Sequence, residues 1–375
     1  MQIKKILHSI PKINIVKMLL LLFLSVSCFF KAAQHKQNLE LYNDKITVIP
    51  NISISGIQAN EVQKRNELSD NPYAVTIWGE RQDITIYNPD LKRETIVNQI
   101  IVCGRTDAIL SGTYTLDIND KNGCLIDENT AYELFGDSKT TGQVIVSDNK
   151  SYVVRGIIQD MRNIFVRQST DETGEILDTF TVLRGEETTG TTVNHIFNIF
   201  RMQGHLLDYG IVIDLTSTIF LVVPVILFSY LCSLINKCKK YCIFVSDKRL
   251  HDETILQFFC KRYPKEYWFW LCIQIFCIII FAVIILKNFT LIDDYIPTKW
   301  SDLGFWKQLL EEKAVSLKYL FITTKKSPEI MFFISFLKAN IFNLLSLFFM
   351  ILLIYEVKII ELKYEIVKMD FLVKR

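Results

Sequence analysis

Four stretches of the chain give up almost all of their polar positions. Met18–Phe30 is uncharged over 13 residues, Leu215–Asn236 over 22 and Tyr267–Leu286 over 20. Met331–Tyr355 runs 25 residues with Lys338 its one charge. About 20 apolar residues of helix cross a bilayer core about 30 Å thick. The second and third runs meet that directly. The fourth meets it with Lys338 snorkelling to the outer face, and Pro224 in the second is tolerated in a membrane helix. The first run reads in more than one way. A basic start, a short apolar stretch and small residues at Ser25–Ser27 suit a signal peptide. Extended back to Ile13, with Lys17 snorkelling, the run suits an uncleaved anchor, the favoured reading. Cys28 invites a lipoprotein reading, which Ser25 disfavours by standing where such a motif has Leu. Anchor and signal peptide alike put residue 40 on the far side of the membrane.

Between the first two runs the pattern changes. Apolar stretches become short, alternating or β-branched: 45–50, 74–78, 83–87, 96–103, 143–147, 151–158 and 179–183. Gly, Asn, Asp and Pro bound them, which predicts strands. Asp127–Phe135 predicts a helix capped by Asp127 or Asn129 and closed by Gly136. The fold class is therefore a membrane protein of four transmembrane α-helices with an α+β extracytoplasmic domain inserted between the first and second. The expected segments are 1–31 (N-terminus and first helix), 32–210 (outer domain), 211–236, 237–266 (loop), 267–288, 289–330 (outer loop), 331–356 and 357–375 (tail). An insert of that size can bury its own core.

Charge sets the orientation. The 237–266 loop carries Lys237, Lys239, Lys240, Lys248, Arg249, Lys261, Arg262 and Lys265, and the tail carries Lys358, Lys363, Lys368, Lys374 and Arg375. The 287–329 loop is nearly balanced. The positive-inside bias puts both termini and the 237–266 loop in the cytoplasm of a cell-membrane protein. Tyr267, Trp268 and Trp270 then form an aromatic belt at the inner boundary. Half of the 375 residues are hydrophobic and 22% charged, which excludes a disordered chain. With 42 basic against 40 acidic residues there is no nucleic-acid footprint.

Candidate chemistry is sparse. The five histidines are scattered, none at metal-ligand spacing. There is no nucleophile elbow, Walker A loop or Gly-rich dinucleotide turn, so no catalytic, cofactor or metal residue is assigned. Cys238 and Cys242 could form half of a metal site only with Cys260 and His251, a reading set aside. Cys103 and Cys124 lie in the outer segment, where oxidation permits a disulfide between them; two buried thiols are the alternative. The loop segment 247–259 is compatible with a helix that brings Arg249, Glu253 and Leu256 onto one face. A basic loop held against anionic lipid is the alternative there.

Residues 123–160 combine a strand, a helix ending Leu134-Phe135-Gly136-Asp137, Gly142 before a strand, and Tyr152-Val153-Val154 with Gly156-Ile157-Ile158 ahead of Asp160; Ser111-Gly112 stand upstream. This resembles the end of the MacB-like periplasmic core domain of FtsX-like ABC transporter permeases. The resemblance implies one span, an outer domain and three more spans, the layout already read from hydropathy. It implies a permease subunit, without enzyme activity of its own, that relays the ATP-driven motion of a separate ABC ATPase to the outer domain. It also implies a homo- or heterodimer of permeases in the bilayer, with Arg249, Glu253 and Leu256 as ATPase contacts. The alternative is a membrane-anchored sensor or ligand-binding module without transport.

Overall fold

A computed structural model describes residues 12–69, 72–110, 115–159, 161–170, 174–183, 189–200, 203–246, 265–288 and 303–373. Its helices are α1 (Lys12–Glu40), α2 (Gly56–Glu67), α3 (Glu128–Phe135), α4 (Thr189–Phe200), α5 (Gly210–Ser246), α6 (Lys265–Asn288), α7 (Leu303–Ile322) and α8 (Ser327–Val373). Four of them hold stretches long and apolar enough to cross a membrane: Val16–Glu40, Gly210–Lys240, Tyr267–Leu286 and Ser327–Leu362. The protein is thus a multi-pass membrane protein with an α+β sheet domain between its first and second spans. The chain divides into two compact units, one of residues 1–36, 214–291 and 337–375, the other of 37–213 and 292–336.

In the helical unit, polar groups join the helices where apolar packing against lipid supplies no driving force. Ser25 Oγ donates to Ser346 O at 3.0 Å, and Ser346 Oγ donates to Ser25 O at 2.9 Å. Asn343 Nδ2 donates to Ile219 O at 2.8 Å. At one end Lys17 pairs with Glu356 at 2.5 Å and Lys237 with Glu361 at 2.7 Å. The start of α1, the end of α5 and the far part of α8 therefore meet on one side of this unit. Pro224 sits inside a continuous α5.

The sheet unit has β1 (Lys45–Pro50), β2 (Ile54–Ser55), β3 (Val75–Asn88), β4 (Arg93–Cys103), β5 (Gly123–Asp127), β6 (Val144–Ser147), β7 (Lys150–Ile158), β8 (Ile164–Gln168), β9 (Ile176–Leu177), β10 (Thr179–Leu183) and β11 (Gly204–Leu207). Nine strands form one sheet in the order β11-β1-β10-β3-β4-β8-β5-β7-β6, and β2 pairs with β9. The segments 74–78 and 83–87, expected as two strands, are one. A register shift between Arg81 and Ile84, with Asp83 at φ 56°, bends β3. Such a bulge redirects a strand. Its first half pairs with β10 and its second with β6, so the pairings β3-β4-β8-β5-β7-β6 close on themselves.

Alternation distributes the side chains to two faces. Ile77, Ile101, Phe180 and Val182 pack with Ala59 of α2 and Val193 and Ile196 of α4. Trp78, Ile100, Val102 and Val166 point the other way, toward Ile109, Leu110 and Leu116. In the closed part, Ile86, Val97, Ile126, Tyr152 and Phe165 enclose Ala131 and Leu134 of α3. That helix begins and ends as its residues dictate. Asp127 is the cap, and Gly136, at φ 77°, takes the left-handed position and donates its N–H to Tyr132 O at 2.8 Å. The β6–β7 hairpin turns on Asp148 and Asn149, at φ 49° and 60°, because Ser147 and Lys150 are its last pair. Two left-handed residues make the turn whose twist suits a hairpin. Ser111, Gly112 and Asp160 of the family resemblance lie outside the described residues.

Candidate functional site

The face of β1, β10 and β3 that carries Thr47, Thr181 and Trp78 is polar where its neighbour is apolar. Trp78 Nε1 donates to Thr181 Oγ1 at 3.0 Å, and the hydroxyls of Thr47 and Thr181 lie 3.4 Å apart. Three passages of the chain converge here. The first leaves α1 through Tyr42 and Lys45, which line a small crevice with Thr47, Trp78, Tyr209 and Glu329. The second runs from β11 through Asp208 and Tyr209 into α5. The third runs from α7 through Lys326 and Glu329 into α8.

The start of α8 is the most heavily tied. Its first backbone N–H, on Ser327, and its Ser327 hydroxyl both donate to the Glu80 carboxylate of β3, each at 2.7 Å. Asn98 Nδ2 of β4 donates to Ser327 Oγ at 3.2 Å. Lys326 N donates to Glu329 Oε2 at 3.2 Å, half of a capping box. The Lys326 ammonium pairs with Asp178, donates to Thr179 Oγ1 and lies 4.8 Å over the Trp78 ring. Two carboxylates beside a helix N-terminus satisfy orphan donors and complement its dipole.

Tyr42 and Tyr209 flank this start. Tyr42 donates its hydroxyl to Pro328 O at 3.1 Å, and Tyr209 to Glu329 Oε1 at 3.4 Å. Their rings meet each other at 5.7 Å and Phe332 at 5.1 and 4.8 Å, a mutually tilted aromatic trio. Burial pushes the Tyr42 hydroxyl up to about 12, with the Glu329 charge adding to it. Burial and then Glu329 push Tyr209 well above the ordinary tyrosine range. Both remain neutral donors at physiological pH. Burial pulls the Lys45 ammonium down to about 8 against the opposing pull of Asp107.

The α5 passage is fixed to α7. Ser316 Oγ donates to Leu206 O and accepts from Asp208 N, both at 3.1 Å. Lys313 pairs with Asp208, and the rings of His205 and Tyr319 stack at 3.9 Å. Residues 289–330, expected as a loop, therefore hold a helix that belongs to the sheet unit. The arrangement offers no nucleophile with a base, and no group of three His, Cys, Asp or Glu that could hold a metal occurs among the described residues. What it can do is hold three helix-bound passages in a common packed seat.

Arg249, Glu253 and Leu256 lie outside the described residues, as do Cys260 and His251. Cys103 and Cys124 stand as thiols rather than as the disulfide that was one alternative. Cys103 on β4 and Cys124 on β5 belong to different apolar clusters, with β8 between their strands. Two strand spacings are about 10 Å, beyond the roughly 7 Å over which Cα atoms can be bridged. Burial pushes the Cys124 thiol up. Cys124 should therefore resist iodoacetamide in the folded protein at neutral pH, and denaturation without reductant should release both thiols. Mass spectrometry of the alkylated peptides reads this, and a bridged 103–124 peptide would overturn it. The seat itself was missed in the sequence, although Lys326-Ser-Pro-Glu329 has the spacing of a capped helix start.

No protein-family model and no curated protein matches the sequence. Among solved structures, the chain is similar to the periplasmic region of MacB from Actinobacillus actinomycetemcomitans, with 13% identity over 42% of this chain and 83% of that one and a TM-score of 0.32. It is also similar to the extracellular domain of the noncanonic ABC-type transporter YknZ from Gram-positive bacteria, with 11% identity over 42% of this chain and 96% of that one and a TM-score of 0.31.

Proposed function

We propose that this chain is the permease subunit of an ABC-type, FtsX/MacB-like transporter or mechanotransmission complex, acting as a homo- or heterodimer with a separate ATPase. The observation that carries this reading is the convergence of the α1, α5 and α8 passages on one seat in the sheet unit. A close-packed, hydrogen-bonded seat transmits displacement instead of absorbing it. Motion arriving along one passage thereby becomes a rearrangement of the strands that hold the others, which is coupling between two sites in the thermodynamic sense. In this reading the sheet unit faces outward, and both termini and the 237–266 loop are cytoplasmic. The meeting of Lys17, Lys237, Glu356 and Glu361 supports a common side for those ends. Arg249, Glu253 and Leu256 would contact the ATPase, which would supply the hydrolysis.

The test is purification of the tagged chain from its native membrane in mild detergent. A stoichiometric ABC-type ATPase is expected, and it should be lost when Arg249 and Glu253 are both replaced by Ala. Glu80→Gln, in the seat, should leave the ATPase bound and reduce its coupling to a reporter in the sheet unit by at least about fivefold, the low end of allosteric coupling. A chain that purifies without any ATPase would move the reading to the sensor or binding module.

A further inference from the structure

The helix α7 carries an apolar stripe that the sheet unit covers only at its end, where the Phe321 ring meets Phe333 at 5.7 Å. Its packed side holds Ser316 and Leu320, buried at 6% and 0% exposure. A different side holds Trp306, Leu310, Ala314, Leu317 and Phe321, spaced by four, four, three and four residues, which places them in one line. Trp306 is 45% exposed, Leu310 68% and Phe321 58%. The polar residues beside the stripe satisfy one another along the helix: Lys307 with Glu311 at 3.9 Å and Gln308 with Glu312 at 2.9 Å.

The position of this stripe is fixed twice. Ser316 and Lys313 hold Leu206 and Asp208, two to four residues before the stretch that begins at Gly210. Ile322 precedes the stretch that begins at Ser327 by five residues, a reach of at most about 18 Å. The two beginnings touch each other through Tyr209 and Glu329 and through Tyr209 and Phe332. With α5 and α8 crossing the bilayer, their apolar stretches of 31 and 36 residues exceed the roughly 20 that cross its core, so both beginnings stand at or outside the same membrane surface, and α7 is tied to them at its middle and near its end.

We propose that α7 lies along the membrane surface with the Trp306–Leu310–Phe321 stripe in the boundary between lipid headgroups and acyl chains. The occupant is the phospholipid of the leaflet on the side of the sheet unit. A helix so placed buries its apolar side a few ångströms into the boundary, and Trp sits there by preference. The inference goes beyond the permease reading and requires only that α5 and α8 cross the bilayer.

The test places the photoreactive p-benzoylphenylalanine at Leu310 of the full chain, reconstituted in phosphatidylethanolamine–phosphatidylglycerol vesicles. A second variant carries it at Glu311, on the polar flank. After irradiation, mass spectrometry should find phospholipid adducts on the 310-containing peptide at least about fivefold more often than for position 311, the contrast expected of a helix lying flat in the boundary. A covalent dimer of the chain through position 310 would overturn the proposal in favour of a second copy. Equal, sparse adducts at both positions would overturn it in favour of exposure to water.

Discussion

Replacing Glu175 with Gln should destabilise the sheet unit by about 3–5 kcal/mol, the range for removing one partner of a buried ion pair. Arg167 Nη1 and Glu175 Oε1 lie 2.6 Å apart, with side chains only 5% and 3% exposed. The carboxylate also accepts from Thr170 N and Thr170 Oγ1, each at 3.0 Å, and from the Ser169 hydroxyl. Arg167 Nη1 reaches Gln168 O at 3.0 Å as well, and its Nε is buried with no hydrogen-bond partner. Without the carboxylate the guanidinium stays charged in the interior. Burial by itself would raise the Glu175 carboxyl; the bonds from Ser169, Arg167 and Thr170 outweigh it and hold the group below its ordinary range. The sign follows by linkage. A depressed carboxyl contributes stability that is fully present above the unfolded value near 4.5 and is lost as pH falls through the folded value. Native-state hydrogen exchange at the β8 amides of the full chain, followed from neutral pH down to about pH 3 so as to pass below the unfolded value, reads both effects. The E175Q chain should be less protected and flatter with pH. The pair R167M/E175Q should recover part of the loss, because the stranded charge is gone while the amide offers Ser169 and Thr170 one acceptor oxygen where the carboxylate offered two. A loss under about 1 kcal/mol for E175Q would show the pair to be solvated.

That pair was invisible in the sequence, where Arg167 and Glu175 are two charges eight positions apart. Only the fold makes them interior. The strands that were legible, such as β1, β7 and β10, alternate or are flanked by turn residues. β8 escaped because both its faces are buried and no period of two remains, and β5, buried in the same way, was reached only through the family pattern at 123–160. The spans were legible because lipid tolerates no charge, so composition alone marks them. The start of α2 was also available: Ser55 and Gln58 form a reciprocal capping box that reads directly as S-x-x-Q. The helix α7 was hidden for another reason. Charged and apolar residues share its surface, and a balanced loop looks the same in composition. The seat was not legible at all, since it joins Tyr42, Glu80, Tyr209 and Glu329 across nearly the whole chain, and no local pattern records such contacts.

Asp127 shows the opposite case, a legible residue whose importance only the fold discloses. The sequence offers it as a helix cap, and a cap exchanged for Ala costs about 1 kcal/mol. The structure makes it a junction. One carboxylate oxygen accepts from Asn129 N at 3.0 Å and Thr130 N at 3.2 Å. The other accepts from the Thr130 hydroxyl at 2.5 Å and from Ile164 N, the first residue of β8, at 2.7 Å. Asp127 and Thr130 are both fully buried. Asp127→Ala therefore strands the cap donors and a strand donor in an apolar interior, each buried orphan adding about 1–3 kcal/mol. The total expected is about 3 kcal/mol, and exchange at the Ile164 amide should quicken by roughly a hundredfold, as local opening replaces global unfolding. Asp127→Asn keeps one acceptor oxygen and must turn an NH₂ toward the donors on the other side. It should lose about half as much, since one of two donor sets keeps its partner. The order of protection, wild type above Asn above Ala, separates a two-sided junction from a simple cap. If Asn and Ala behave alike, or Ile164 exchanges unchanged in both, the link from α3 to β8 does not run through this carboxylate.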